Sequence, residues 1–219
     1  MSNNFETLGL FPVPIIKIKF KDHYKYNFPE VEKKDKKPNG WVDSVHTTFP
    51  GIPDDDLLVP PLVRDSLKRD LKFSIIEVFQ QLNIPTNIEF YNLWYNIYHD
   101  DQGQEKHAHL LPLGIPQFFW SGIYYNKNAS PTTFFNTNRM IETQHFLGYQ
   151  ETSLNSCLTK DNSPHVEDGD ILLFPPYLEH SVICKDEYKN KMRMTFSFNI
   201  NLCFSEGISH HSVYDKKMY

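Results

Sequence analysis

The residues best suited to chemistry sit in the stretch Glu105-Lys106-His107-Ala108-His109. Side chains of an extended chain alternate in direction, so His107 and His109 would point to the same side. Their Cα atoms would lie about 6–7 Å apart, close enough for both imidazoles to grip one metal ion. His180 follows the apolar run Ile171-Leu172-Leu173-Phe174-Pro175-Pro176 and offers a third imidazole from far along the chain. Beyond it, Arg193 falls inside another strand-like stretch. Imidazole suits iron, zinc, copper or nickel, and three protein ligands leave positions open for a substrate or oxygen. The competing account is chance, because ten histidines in 219 residues will sometimes fall two apart. His99, His145 and His165 lack such a partner, and the adjacent His210 and His211 lie in an aperiodic tail.

The rest of the chain reads as the scaffold for these four residues. Residues 8–20 end in alternation, with Ile16, Ile18 and Phe20 on one face and Lys17 and Lys19 on the other, which predicts a half-buried strand near a sheet edge. Residues 21–60 lack a period and read as a surface excursion with a short strand around Trp41-Val42. Residues 61–83 predict a helix. Leu67, Leu71, Ile75, Val78, Phe79 and Leu82 form an apolar stripe, Pro60 and Pro61 suit its start, and Pro85 marks its end. From residue 88 the signals are strands, at 88–99, 117–126, 132–136, 143–149, 170–174, 180–184 and 192–202, separated by turn-rich segments. In the last strand Met192, Met194, Phe196, Phe198 and Ile200 alternate with Arg193, Thr195, Ser197, Asn199 and Asn201. The polar face could look into a barrel or out to water; alternation alone leaves both open. One helix followed by many short strands predicts a mainly β protein with a buttressing helix, in a barrel or sandwich. A single domain over 1–219 is expected, with a strand, loop and helix in 1–87, the β core in 88–202 and a tail from 203.

Composition narrows the function. Hydrophobic residues make up 40% of the chain and the net charge is −5, which fits a globular protein and argues against nucleic-acid binding. Eight lysines against four acidic residues between Lys17 and Lys37 read as a solvated strand and loop. Cys157, Cys184 and Cys203 are scattered, as expected of reduced thiols in a cytoplasmic protein of a cell or host cell. No signal peptide and no membrane span is expected.

Four blocks resemble the iron(II)- and 2-oxoglutarate-dependent dioxygenases, with the prolyl-hydroxylase-like branch as the nearest match. They are Tyr95-Asn96-Ile97-Tyr98 leading through Gly103 to His107-Ala108-His109; Ser121-Gly122-Ile123-Tyr124-Tyr125; Gly169 to Pro175 followed by Glu179-His180-Ser181-Val182; and Arg193-Met194-Thr195. Leu10-Phe11-Pro12-Val13-Pro14 also resembles the opening of a subgroup that carries His-x-His. The resemblance implies a double-stranded β-helix, a jelly roll of the cupin-like kind. It implies Fe(II) on His107, His109 and His180, and 2-oxoglutarate held by Arg193 with Thr195, Tyr125, Tyr98 and Ser121 nearby. It also implies O2 as co-reactant, and hydroxylation of an unidentified small-molecule or peptidyl substrate with release of succinate and CO2. The chain departs from the superfamily's His-x-Asp/Glu pattern at His109, so the second ligand is either that imidazole or a nearby acid, Asp100, Asp101 or Glu105. Two other readings stand beside this one: a three-histidine cupin-like dioxygenase without 2-oxoglutarate, and a non-catalytic metal-binding β-barrel module. The segments 21–60, 110–117 and 136–145 are candidate lids, and Phe118, Phe119 and Trp120 either line the barrel mouth or belong to the core.

Overall fold

The last strand, β9 (Arg193–Leu202), shows how the fold sorts its residues. Met194, Phe196, Phe198 and Ile200 enter the main apolar core, whereas Arg193, Thr195 and Ser197 line an internal cleft. The alternation left open by the sequence therefore resolves inward. In the computed structural model, residues 13–33, 43–49, 58–99, 102–110, 118–136, 161–183 and 191–203 are described. Trp41-Val42, Asp100, Asp101, the strand expected at 143–149, His145, Cys157, Cys184 and the tail histidines lie outside them, as do 111–117 and most of 136–145.

Besides β9, the strands are β1 (Ile16–Lys19), β2 (His46–Thr47), β3 (Ile88–Tyr98), β4 (Gln104–His107), β5 (Trp120–Lys127), β6 (Thr133–Phe134), β7 (Asp170–Phe174) and β8 (His180–Val182). They form a six-stranded sheet in the order β1-β7-β5-β9-β3-β2 and a three-stranded sheet in the order β4-β8-β6, with every pairing antiparallel. Side chains of both sheets line one cleft, so the sheets face each other as a jelly roll, the double-stranded β-helix expected. β1 is an edge strand, and its outward Lys17 and Lys19 pair with Asp170 of β7.

The large sheet's other face packs on the helix α1 (Pro61–Gln81). Pro61 suits the first turn, where its missing N–H would have no partner anyway. Asn83 ends the helix in the left-handed region at φ 55, which asparagine tolerates. Leu67, Leu71, Ile75 and Phe79, one helical turn apart, are fully buried, each contributing about 1.5–3 kcal/mol by removal from water. The predicted stripe extended to Leu82; that residue is the C-cap and is 51% exposed, because the chain has already turned off the helix axis.

Other differences from the sequence reading follow from pairing. The strand expected from 117 starts at Trp120, and the one expected over 132–136 is only Thr133–Phe134. The excursion over 21–60 contains β2, which pairs with β3 at Ile97 and Asn96. Trp120 joins the core under the helix and Phe119 packs against it, but Phe118 faces a surface cleft. In β3 the register slips between Phe90 and Asn92. That bulge reverses the facing of the strand. Ile88 and Phe90 join the main core before it; Tyr95 and Ile97 do so after it, so Trp94 and Tyr98 turn to the cleft and Asn96 turns to Ser197.

Gly122 is required by close packing. A Cβ there would lie 2.3 Å from the Phe198 ring, which crosses β5 at that point. Gly103 is similar: a Cβ would meet the Val182 carbonyl oxygen at 2.5 Å, so only glycine lets the turn before β4 approach β8.

Candidate metal centre

Three imidazoles meet where the small sheet faces the large one. His107 and His180 are direct partners across β4 and β8, with ring centroids 4.3 Å apart. His109 lies beyond the end of β4 and not on the strand, as the simple alternation assumed. Its backbone N–H donates to the Pro176 carbonyl at 2.8 Å, which ties it to the turn before β8. The ring still reaches the others, at 5.4 Å from His107 and 5.0 Å from His180. One potential ligand atom from each of the three lies within 4.8 Å of the other two. Glu105 is not in this group; its carboxylate accepts the Asp43 N–H at 3.4 Å.

Hydrogen bonds decide which nitrogen each ring offers. His107 Nδ1 is 2.8 Å from the Glu105 carbonyl oxygen, and His180 Nδ1 is 3.0 Å from that of Leu178. A carbonyl only accepts, so both Nδ1 atoms carry the proton and both Nε2 atoms keep a lone pair. His109 Nδ1 lies 2.9 Å from both Ser121 Oγ and Asn199 Oδ1. Asn199 is oriented by its own amide, which donates to Asn92 Oδ1 at 3.3 Å, and its Oδ1 also accepts from Ser121 Oγ at 2.7 Å. His109 Nδ1 is therefore a donor too. All three Nε2 atoms are left as acceptors, the arrangement in which outer partners fix the tautomer of metal-binding histidines.

Burial keeps the rings uncharged. It lowers the pKa of His107; it lowers His109 to about 4, with help from neighbouring His107; and it holds His180 well below the ordinary range, with both other histidines adding to the effect. At neutral pH no proton has to leave before a cation arrives.

Arg193 lies in the same cleft as the triad and is 2% exposed. Its Nη2 donates to the Gln102 carbonyl at 2.8 Å and its guanidinium sits 5.1 Å from the centroid of the Tyr98 ring. Tyr98, Tyr125 and Thr195 share the cleft. The Tyr98 hydroxyl donates to Gln104 Oε1 at 3.3 Å and that of Tyr125 to Thr132 Oγ1 at 2.8 Å; burial raises both phenols, so they stay protonated donors. The cleft is narrow. Its free interior is about 20 Å³, within about 450 Å³ when its mouth is included.

Residues 92–199, about half of the chain, match a family model described as a putative 2OG-Fe(II) oxygenase. The matched span contains all three histidines and Arg193. That span belongs to the 2OG-Fe(II) oxygenase superfamily. By class it is an oxidoreductase.

No curated protein matches the sequence. Among solved structures, HygX from Streptomyces hygroscopicus, with nickel and 2-oxoglutarate bound, is 14% identical, covering 88% of this chain and 84% of that one at a TM-score of 0.48. A Pseudomonas putida prolyl-4-hydroxylase is 10% identical, covering 75% of this chain and 74% of that one at 0.45. The viral collagen prolyl hydroxylase of Paramecium Bursaria Chlorella virus-1, in its 2OG complex, is 12% identical, covering 74% and 80% at 0.43.

Within this oxygenase scaffold, Ser121 stands apart from the other expected cosubstrate residues. It touches His109 and Asn199 and does not line the inner cleft. Asn199, one polar residue among several on β9, gave no separate signal in the sequence; its importance comes from a hydrogen bond to a residue 90 positions away. Ser130 was also unmarked. Its buried hydroxyl lines the cleft without a hydrogen-bond partner among the described residues.

If Asn199 fixes His109, Asn199→Leu should weaken zinc(II) binding by about 10- to 100-fold, the range for lost outer-shell partners. Asn199→Asp, which keeps the acceptor oxygen, should retain most of the affinity. Competitive chelator titration measures both. Equal affinities for the leucine variant and the parent would remove Asn199 from the account.

Proposed function

We propose that this protein is an iron(II)- and 2-oxoglutarate-dependent dioxygenase that hydroxylates its substrate and releases succinate and CO2. The observation that carries the reading is the convergence of three imidazoles, each with its Nδ1 held by an outer partner, in one cleft with a buried arginine. The donor set fits the metal: three neutral imidazoles suit iron(II) and leave open positions. Bound there with 2-oxoglutarate and O2, iron supplies oxidative decarboxylation of the diacid and transfer of one oxygen atom to the substrate.

The protein's own residues bind and shield. Arg193 is placed to pair with the distal carboxylate of 2-oxoglutarate, a charge-assisted contact that its planar fork can make in bidentate form. The Gln102 carbonyl and the Tyr98 ring hold the guanidinium in the cleft. Neutral Tyr98 and Tyr125, with Thr195, present hydroxyls to an anionic guest without repelling it. Ile123 and Val182 line the same cleft and limit the access of water. With no carboxylate among the three described ligands, the loaded centre keeps the full charge of the cation, which favours an anionic cosubstrate. The rival three-histidine reading, without 2-oxoglutarate, gives Arg193 no cosubstrate carboxylate to bind.

Purified protein supplied with iron(II) and 2-oxoglutarate should form succinate, slowly even without its substrate, and omission of either should stop it. Retained zinc with no succinate under any supplement would favour the non-catalytic module.

A further inference from the structure

A second cleft opens on the triad from the outside, and we infer that it receives an uncharged aromatic ring as the reacting part of the substrate. The inference deepens the proposed function but uses the metal centre only as the floor of the cleft. Its free volume is about 340 Å³, within the usual range for small-molecule sites, against about 20 Å³ for the inner cleft. His107 and His109 line its floor.

Two aromatic pairs line it. Phe49 stands edge-on to Trp94 with centroids 5.3 Å apart, and Tyr91 tilts against Phe118 at 5.2 Å. The β3 bulge falls at Tyr91, which is 61% exposed; Leu110, also on the lining, is 59% exposed. Exposed apolar surface concentrated beside a metal centre marks a ligand site, and aromatic walls favour a flat ring through offset and edge contacts.

Charge separates the candidates. Among the described residues the lining contains no lysine or arginine, so an anionic substrate finds no side-chain counter-ion there. Its one carboxylate is Glu105, which already accepts the Asp43 N–H. A cation would enjoy the aromatic faces but would approach a dication held by three neutral ligands. A neutral ring meets neither objection.

The N-acetyl amides of phenylalanine, leucine, lysine and glutamate place four side chains on one neutral, acceptor-bearing frame. Their binding is measured by NMR titration on the protein both metal-free and zinc(II)-loaded, without 2-oxoglutarate. The phenylalanine probe should bind tighter than the leucine probe in both forms, about ten-fold or more tighter than the glutamate probe in the metal-free form, and about ten-fold or more tighter than the lysine probe in the zinc(II)-loaded form. Tyr91→Ala and, separately, Phe118→Ala should erase that preference. Since Tyr91 is largely exposed, its variant tests the cleft without disturbing the core. A glutamate probe binding as tightly to the metal-free form, a lysine probe binding as tightly to the zinc(II)-loaded form, a preference for phenylalanine over leucine that survives both variants, or no binding of any probe overturns the inference. None of these results bears on succinate formation, so failure here and failure of the oxygenase reading are told apart.

Discussion

His180→Ala is expected to abolish stoichiometric binding of divalent metal and, with it, 2-oxoglutarate turnover. In the proposed centre His180 would be the ligand contributed by β8, the middle strand of the small sheet. It sits opposite His107 across β4 and β8, is 2% exposed, and has its Nδ1 proton fixed on the Leu178 carbonyl. Its loss leaves two imidazoles, one of them on a segment outside regular structure. Loss of an outer-shell partner costs about 10- to 100-fold in affinity, and loss of a ligand should exceed that. The alanine variant also leaves space against the Phe134 and Phe174 rings, 5.9 Å and 4.8 Å from the imidazole, and so carries a stability cost of its own. His180→Gln fills most of that space without an imidazole. Calorimetric metal titration together with thermal melting of both variants separates the effects. Full stoichiometric binding by a folded His180→Gln variant at parental affinity would remove His180 from the centre.

Arg193→Ala should have the second largest effect, and a different one. Metal content should stay near the parent's, whereas 2-oxoglutarate affinity should fall by at least about 30-fold, the lower bound for losing one partner of a buried charged pair. Arg193→Lys should recover only part of the loss, because an ammonium keeps the charge but not the planar fork. Metal and 2-oxoglutarate titrations on the same preparations provide the comparison. If metal and diacid binding fall together, β9 has failed as a strand and the pocket has not been tested.

Much of this arrangement was legible in the sequence, for physical reasons. The helix announced itself through Leu67, Leu71, Ile75 and Phe79 at four-residue steps, and β7 through an apolar run bounded by turns, because each signal is local. The polar face of β9 was visible as alternation, but its inward direction was not, since that depends on strands arriving from residues 88 and 120. The bulge at Tyr91 was equally hidden. It is a property of pairing with β9, and by reversing the parity of β3 it sends Trp94 and Tyr98 to the clefts. His107 and His109 were correctly read as neighbours, although the strand that was to align them ends at His107. Ser121 shares the expected strand with Tyr125 but lies four residues along it, beside His109, where it serves the ligand's orientation.

The central claim is that the Nε2 atoms of His107, His109 and His180 share one divalent cation. Anomalous diffraction at the zinc edge, from crystals of the protein soaked in zinc(II), tests it most directly. A single peak about 2.0–2.1 Å from all three Nε2 atoms is predicted. A peak bound through any Nδ1, one in which the Glu105 carboxylate replaces a histidine, or no peak at the triad would contradict it.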